Sequence, residues 1–402
     1  MRKISIFRVY LVIALYSLAA NFAHPITPTF IQNLKLHDYM FGVAFAAMSL
    51  TNFMFSPFWG KLSNNLGSNK IISFGFIGYG LAQGVFGLAT TEAQIVVGRM
   101  LAGFFNGAIM VNQTIYIINN SPQGDRSRNL AISATIMSVV SPFGFLIGGL
   151  IGDYSIPMTF LLQVISLILV GVLNWFILED PPVKAKEPLR KIIKESGPFQ
   201  IVVNNREIFT LIMTSFFMIA VLTSFAFTAY EQSFNYFIKD QFGFPPSYSG
   251  ILKAAIGFIT LLTNATITMW LLKKADVARS LIAILTLCVL MMLSIILVGE
   301  VVPFIIINVI FFALNAIYLP LMQAMLVDLS DDDIDGGVLV GIFNSMRSFG
   351  MVGGSLFAGL IYAFGPRLAF VFSGIVFLLS VLAAFIHFKS QNKKVVESDL
   401  LA

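Results

Sequence analysis

The chain has 402 residues, of which 57% are hydrophobic and only 11% carry a charge. In a water-soluble domain about a quarter of the residues are charged, so this composition excludes a soluble globular protein and indicates a chain that faces lipid over most of its surface. The chain has one cysteine, Cys288, and no cluster of His and Cys residues, so neither an intramolecular disulfide nor a metal site of that kind is predicted.

Long apolar stretches follow one another along the chain. A membrane-spanning helix needs about 20 mostly apolar residues, and twelve stretches meet this requirement. They lie at residues 5–31, 40–62, 71–90, 93–118, 129–151, 158–178, 207–238, 248–272, 279–299, 303–327, 337–363 and 367–388. We predict an all-α integral membrane protein with twelve transmembrane helices in two six-helix bundles. The predicted boundaries are 1–178 for the N-terminal bundle, 179–206 for a cytoplasmic linker, and 207–402 for the C-terminal bundle with a short cytoplasmic tail.

The basic residues lie preferentially in alternate loops. If the N-terminus is cytoplasmic, 19 of the 25 Lys and Arg residues fall in inner segments and four in outer ones, as the positive-inside rule requires. We therefore expect a multi-pass protein of the cell membrane with both termini in the cytoplasm. Anionic lipid accounts for the inner basic residues, so a nucleic-acid partner is not expected.

The two halves share glycine patterns at an offset of 210 residues. Gly149-Leu150-Ile151 corresponds to Gly359-Leu360-Ile361, and Gly144 to Gly354. Such a repeat predicts a substrate site at the interface of the two bundles. Glycines that recur every fourth residue also predict close helix packing between spans five and eight, or two and eleven. These glycines are Gly144, Gly148 and Gly152 in one half, and Gly350 and Gly354 in the other.

Three segments carry recognisable motifs. They are Gly60-Lys61-Leu62-Ser63-Asn64-Asn65-Leu66-Gly67-Ser68-Asn69-Lys70, Arg99-Met100-Leu101-Ala102-Gly103-Phe104-Phe105-Asn106-Gly107, and Ser141-Pro142-Phe143-Gly144 followed by Gly148-Gly149. They resemble the inner-loop, span-four and span-five motifs of the major facilitator superfamily. The likeness is greatest to its twelve-span drug:proton antiporter branch, the multidrug and quinolone efflux pumps of Gram-positive bacteria.

The resemblance implies a secondary active transporter rather than an enzyme. It would export lipophilic cationic or zwitterionic drugs in exchange for protons by alternating access, with no cofactor beyond the proton motive force. The expected partners are small lipophilic substrates, protons and membrane lipid. No phosphate-binding loop of the Walker type occurs in the sequence, so ATP is not expected as a partner.

The resemblance also implies a set of gating and structural residues. They are Gly60, Asn64, Gly67, Lys70, Gly103, Pro142, Gly144, Gly148, Gly149 and Arg347. The sequence departs from the family pattern at four of the motif positions, and two of these departures are Ser68 and Asn69, which stand where the family has basic residues. Asn64 stands where the family has an aspartate, so it brings no negative charge to a helix N-terminus. Ser141 stands where the family usually has glycine.

Polar groups inside spans are the candidates for proton coupling and substrate binding, because a charge at mid-membrane normally faces a cavity or a partner. We expect Glu231 to bind a proton and, when ionised, to attract a cationic group of the substrate; the alternative is a position in water at the outer rim. Arg99 either relays protons near Glu231 or Glu92, or anchors neighbouring helices. His24, the one histidine that we place well inside a span, either shares the proton or makes a structural hydrogen bond near Pro25.

The remaining candidates are weaker individually. Asn21, Tyr230, Phe234, Asn315 and Gln323 are expected to line the cavity, although polar residues in spans also join helices. Three alternatives to drug export stay open: a lipid or glycolipid flippase, a sugar or metabolite carrier on the same fold, and a membrane receptor without transport.

Overall fold

The structure is a computed structural model, and it describes residues 6–122, 125–180, 187–197, 199–200, 203, 206–329 and 336–401. The chain divides into two compact units. Unit 1 comprises Met1–Gln200 with Asn235–Gly257, and unit 2 comprises Ile201–Phe234 with Phe258–Ala402. The sequence-based bundle boundaries stay a prediction, and residues 181–186, 198, 201–202 and 204–205 of the predicted linker lie outside the described residues.

Eight complete helices lie in the described residues of unit 1. They are α1 (Ile6–Ala20), α2 (Thr27–Asn33), α3 (Met40–Leu66), α4 (Ser68–Gly87), α5 (Glu92–Asn120), α6 (Arg126–Tyr154), α7 (Ile156–Ile177) and α8 (Leu189–Glu195). Helix α4 packs between α5 and α7, while α1 packs against α6 and α7. The short linker helix α8 packs on α3.

The described part of unit 2 includes a 3₁₀ turn at Arg206–Ile208 followed by seven helices. They are α9 (Leu211–Asp240), α10 (Pro246–Thr263), α11 (Met269–Lys274), α12 (Val277–Leu297), α13 (Val301–Asp328), α14 (Gly336–Tyr362) and α15 (Leu368–Leu401). Two of them are shared with unit 1, because the last six residues of α9 and the first twelve of α10 belong to that unit. Helix α12 packs against α13 and α15.

The prediction of an all-helical membrane protein is confirmed. Every regular element of the described residues is a helix, and nine helices are long and apolar enough to cross a membrane. The twelve predicted spans correspond to α1 with α2, α3 to α7, α9, α10 with α11, and α12 to α15.

Two of these spans are interrupted. The first breaks between α1 and α2, at residues 21–26, where Pro25 disfavours a helical conformation in the preceding residue and cannot donate a backbone hydrogen bond. Pro28 is tolerated, because it occupies the first turn of α2, where backbone N–H groups lack helical partners in any case. The eighth span contains a π-helical segment at Asn264–Thr268, which joins α10 to α11.

The glycine stripe of α6 faces α1 and the turn that follows it. A Cβ atom at Gly144 would lie 2.3 Å from the carbonyl oxygen of Leu18, and one at Gly148 would lie 2.0 Å from that of Phe22. The prediction that span five packs through this stripe against span eight is therefore wrong for Gly144 and Gly148. The contact with span eight is made by Gly149, where a Cβ atom would lie 2.5 Å from the carbonyl oxygen of Pro246.

Unit 2 repeats this seam between α14 and α9. A Cβ atom at Gly350 would lie 2.3 Å from the carbonyl oxygen of Val221, and one at Gly354 would lie 2.2 Å from that of Phe225. Gly350, rather than Gly354, is thus the counterpart of Gly144. The repeat in this helix pair has an offset of 206 residues, one helical turn less than the sequence comparison suggests.

Candidate functional site

A buried guanidinium is the most unusual polar group of unit 1. Arg99 lies two turns into α5 and is 5% exposed, and its guanidinium carbon is 3.8 Å from the centre of the Phe86 ring. Its Nη2 donates to Thr27 Oγ1 at 3.2 Å, and Nη1 lies 3.9 Å from Met48 Sδ. Among the described residues, Nε has no hydrogen-bond partner and no carboxylate forms a salt bridge with Arg99. A buried cation without a counter-ion is costly, which favours a functional role over a purely structural one.

Of the two acids considered as proton partners of Arg99, Glu92 is the nearer along the chain. Its carboxylate contacts other residues. Glu92 is the first residue of α5, and its Oε1 lies 2.6 Å from His37 Nδ1. Its other oxygen, Oε2, accepts a hydrogen bond of 3.1 Å from the Tyr39 hydroxyl. Glu92 therefore joins the start of α5 to the loop before α3, and the structure does not bring it into an ion pair with Arg99.

His24 lies in the turn between α1 and α2, against α6. Its ring stacks on that of Phe145, with centroids 5.3 Å apart and planes 21° apart. The Lys253 ammonium lies 6.0 Å from the centre of the same phenylalanine ring. Asn21 makes a local bond, because its Nδ2 donates to the Ser17 carbonyl at 2.7 Å. The structure thus places His24 on an aromatic face and Asn21 against its own helix.

Glu231 lies in α9, nine residues before the end of that helix, and is partly exposed. Its neighbours Tyr230 and Phe234 are fully buried. The Tyr230 ring is 4.2 Å from that of Phe311, and the Phe234 ring is 5.5 Å from that of Phe312, between centroids. The two aromatic residues expected at the cavity therefore belong to the aromatic core of unit 2, and their contact with substrate stays a prediction.

Asn308 is a polar residue at this place that the sequence analysis missed. It lies in α13, is fully buried, and accepts a hydrogen bond from the Tyr230 hydroxyl at its Oδ1. Its Nδ2 donates to the Phe304 carbonyl at 2.6 Å. The signal was present in the sequence, because Asn308 is a lone amide in the run Ile305-Ile306-Ile307-Asn308-Val309-Ile310.

The other predicted residues of unit 2 are dispersed over α13 and α14. Asn315 is buried, and its Oδ1 has no hydrogen-bond partner among the described residues. Gln323, two turns further along α13, is exposed. The Arg347 guanidinium is partly buried and lies 5.8 Å from the centre of the Phe343 ring. The three side chains thus differ in exposure, and their roles stay predictions.

His387 is a buried histidine near the end of the last predicted span. His387 lies in α15 and is 1% exposed. Its Nδ1 is 3.0 Å from the Ile212 carbonyl oxygen and 3.1 Å from Ser215 Oγ, both near the start of α9. It lies one residue before the end of that predicted span, and α15 continues beyond it.

The motif residues lie where the family pattern suggests turns and helix contacts. Gly60 and Asn64 lie near the end of α3, Gly67 and Lys70 at the start of α4, Gly103 in α5, and Pro142, Gly144, Gly148 and Gly149 in α6. Gly67 has a φ of +90°, a conformation that favours glycine. The backbone N–H of Lys70 donates to Asp180 Oδ2 at 3.1 Å. The gating roles of these residues stay predictions.

Comparison with known proteins adds the family and its relatives. Residues 9–317 match the model of the Major Facilitator Superfamily. Multidrug resistance protein 2 of Bacillus subtilis (strain 168) is 23% identical over 359 residues, which cover 89% of this chain and 88% of that protein. Quinolone resistance protein NorA of Staphylococcus aureus (strain Mu50 / ATCC 700699) is 25% identical over 241 residues, which cover 60% of each chain.

Solved structures resemble the fold as a whole. A bacterial homolog of the human lysosomal transporter Spinster, inward-facing and unoccupied, has a TM-score of 0.73 at 14% identity and covers 96% of this chain and 97% of that one. The human organic anion transporter MFSD10 (TETRAN) has a TM-score of 0.67 at 16% identity, with 95% and 99% covered. At such identities the likeness establishes the fold alone.

Proposed function

Because the chain belongs to the Major Facilitator Superfamily and is a multi-pass membrane transporter, we propose that it exports lipophilic cationic or zwitterionic compounds in exchange for protons. Its relatives named for multidrug and quinolone resistance support this substrate class. The distribution of Lys and Arg supports an orientation in the cell membrane with both termini cytoplasmic.

The position of Glu231 is the observation that carries the proposal. Among the described side chains, it is the one carboxyl that lies more than two helical turns from both ends of its helix. An acidic group at this depth is costly unless it has a use or a partner. Its partial exposure leaves room for a proton or a cationic group to reach the carboxylate.

Exchange follows from competition at this carboxyl. The ionised form attracts a substrate cation, and the protonated form does not, so proton binding favours release of the substrate. Reciprocally, a bound substrate cation favours loss of the proton, because the coupling free energy between two ligands is the same in both directions. A transporter that changes its access between the two binding events then moves one species against the other.

Arg99 favours zwitterionic substrates among these compounds. Its guanidinium is buried against Phe86 and Thr27 and forms no salt bridge with a described carboxylate. A group that stays protonated at any physiological pH and has no internal counter-ion attracts an anionic group of the substrate.

Transport by purified protein in proteoliposomes tests the proposal. The first measurement is the proton-driven movement of a fluorescent lipophilic cation, for wild type and for Glu231→Gln. We expect the variant to lose at least about tenfold in rate, which corresponds to about 1.4 kcal/mol in the barrier. Glu300→Gln is the matched control, because Glu300 is an exposed carboxyl of unit 2 before α13.

The outcomes separate the possibilities. Equal gradient-driven rates in wild type and Glu231→Gln would mean that Glu231 is not the proton site, although the protein would still be a drug transporter. Movement of no lipophilic cation by the wild type would contradict drug export, and labelled lipids and metabolites would be the next substrates to try.

The second prediction concerns Arg99. In Arg99→Gln we expect transport of a zwitterionic fluoroquinolone to fall about tenfold, because a lost charge-assisted hydrogen bond costs ~1.5–3 kcal/mol. Transport of a permanent lipophilic cation should change by less than about twofold by the same reasoning. An equal loss for both substrates would contradict the claim that Arg99 attracts an anionic group of the substrate. It would favour a general role of Arg99 in proton transfer or structure.

A further inference from the structure

The turn between α3 and α4 lacks the negative charge that the family pattern places in it. Asn64 stands at the position of the family's aspartate, and it is exposed in the last turn of α3. The first backbone N–H groups of a helix have no partner within the helix and carry partial positive charge. Gly67, which precedes the first residue of α4, Ser68, has no side chain to accept from these groups, so the acceptor must come from another segment.

Asp180 supplies that acceptor from the segment that follows α7. Its Oδ1 accepts from the Asn69 N–H at 2.6 Å, and its Oδ2 accepts from the Lys70 N–H at 3.1 Å. A Cβ atom at Gly67 would lie 2.3 Å from the carboxyl carbon of Asp180. Two features therefore restrict position 67 to glycine: its φ of +90° and the Asp180 carboxylate packed against it.

The residues around Asp180 are fixed by hydrogen bonds from three helices. Asn69 Nδ2 donates to the Leu178 carbonyl at 2.6 Å. Asn174 Nδ2, from α7, donates to Asn69 Oδ1, also at 2.6 Å. The Tyr116 hydroxyl, from α5, donates to the Glu179 carbonyl at 2.9 Å. These bonds place the backbone of residues 178–180 firmly beside the start of α4.

The segment around α8 holds the other side of the same turn. The Asn65 side chain and the Glu187 backbone exchange two hydrogen bonds, with Nδ2 to O at 2.7 Å and N to Oδ1 at 2.9 Å. Lys61 Nζ lies 3.0 Å from Glu195 Oε2. Ile192, between them on α8, is fully buried. We name residues 178–180 and 187–195 together the linker clasp.

The charge on Asp180 is kept at a cost. Burial raises the pKa of its carboxyl, although the backbone N–H bonds from Asn69 and Lys70 and the Lys70 charge oppose that rise. A raised pKa means that folding disfavours the ionised form. Perturbed acids of this kind cluster at functional positions.

We propose that Asp180 is a positioning residue for transport, which caps the N-terminus of α4 from the linker and holds the α3–α4 turn through the linker clasp. This inference rests on the proposed transport function for its effect on rate. The hydrogen bonds of the clasp lie away from Arg99, so loss of Asp180 slows the transport cycle without weakening substrate binding.

The test compares Asp180→Asn and Asp180→Ala with Glu179→Gln in purified full-length protein. Glu179 is the matched control, because it is an exposed acid one residue away whose backbone carbonyl, and not its carboxylate, makes the contact with Tyr116. The first readout is limited digestion by trypsin, followed by mass spectrometry at Arg190, Lys191 and Lys194 of α8. We expect these bonds to be cut about tenfold faster in the Asp180 variants, because charge-assisted bonds that hold the clasp are lost.

The second readout is transport in proteoliposomes. We expect kcat to fall severalfold in the Asp180 variants with KM unchanged within about twofold, because the clasp acts on the cycle and not on binding. In Gly67→Ala the added methyl group collides with the same carboxylate, so we expect faster digestion and a lower kcat in this variant too.

Digestion of Asp180→Asn and Asp180→Ala at the wild-type rate would show that Asp180 does not hold the linker clasp. Faster digestion with an unchanged kcat would overturn the positioning role. If the wild type itself moves no substrate, the proposed function fails, and the digestion result still decides whether the clasp exists.

Discussion

Units 1 and 2 repeat one helix seam but fill their interiors differently. In both, two glycines four residues apart let a helix approach the backbone of another span, with Gly148 on Phe22 in the turn after α1 and Gly354 on Phe225 in α9. The would-be Cβ distances are 2.0 and 2.2 Å. The backbone geometry of the seam is therefore conserved between the halves, although the side chains around it are not.

The interior of unit 1 is joined by hydrogen bonds between helices. The Tyr16 hydroxyl of α1 donates to Asn106 Oδ1 of α5 at 2.6 Å. Gln163 Nε2 of α7 donates to the Ala20 carbonyl at 2.8 Å, and Trp59 Nε1 of α3 donates to the Phe104 carbonyl at 2.8 Å. Such bonds are directional, so they fix the register of each helix against its neighbour.

The described interior of unit 2 is mainly aromatic. Tyr230, Phe234, Phe304, Phe311 and Phe370 are all fully buried and in ring contact with one another. Several of its buried hydroxyls donate to their own helix. Aromatic packing fills space with less directional demand than hydrogen bonds do. The comparison teaches that the repeat preserves the shape of the backbone while the chemistry of the halves diverges, with a buried cation in unit 1 and a partly exposed carboxyl in unit 2.

The largest expected loss of stability is in the aromatic core of unit 2. Phe311→Ala removes a fully buried ring that contacts Tyr230 and Phe377. We expect a loss of about 3–5 kcal/mol in the free energy of unfolding, as for other large-to-small core substitutions. Thermal unfolding in detergent measures it, with Phe385→Ala as control, since Phe385 is 52% exposed. A loss no greater than the control's would show that the aromatic core does not hold unit 2 together.

The next largest destabilisation is expected at the two glycine seams. A difference between the seams would contradict their equivalence in the two units. Gly148→Ala and Gly354→Ala each force a methyl group against a backbone carbonyl, so we expect about 1–3 kcal/mol of destabilisation in both. Gly299→Ala is the control, because a Cβ atom there meets nothing within 4 Å. Sensitivity at one seam and tolerance at the other would mean that the two seams are not equivalent.

The smallest effect compares the two tyrosine hydroxyls. Tyr16→Phe and Tyr230→Phe each remove a hydrogen bond to an asparagine, Asn106 in unit 1 and Asn308 in unit 2. We expect about 1 kcal/mol for Tyr16→Phe and up to about 3 kcal/mol for Tyr230→Phe, because Asn308 is left fully buried without that donor. Double-mutant cycles with the partner asparagine measure both, and absence of coupling in either pair would contradict the corresponding bond.

The sequence predicts the helices better than it predicts their contacts. Apolar length locates the spans, and Pro25 marks where the first one breaks. The partner of each glycine face depends on tertiary packing, so the seam against Leu18 and Phe22 and its offset of 206 residues could not be deduced from the repeat alone.

The same limit applies to the candidate site. Arg99 and Glu231 stand out because a charge in an apolar run is rare, and the structure places Arg99 in a buried setting. Asp180 was not found, because its partners Asn69 and Lys70 lie more than 100 residues earlier in the chain. Burial of Tyr230 and Phe234 in the aromatic core likewise depends on the neighbouring helix α13, which residue type does not reveal.

Proton release on substrate binding is the most direct test of the central claim, that Glu231 exchanges a proton for the substrate. Purified protein in weakly buffered detergent solution is mixed with a lipophilic cation, and the pH is followed with a dye, for wild type and Glu231→Gln. We predict that the wild type releases protons when the cation binds and that Glu231→Gln releases none. Equal release from both proteins, or binding without release in the wild type, would contradict the claim.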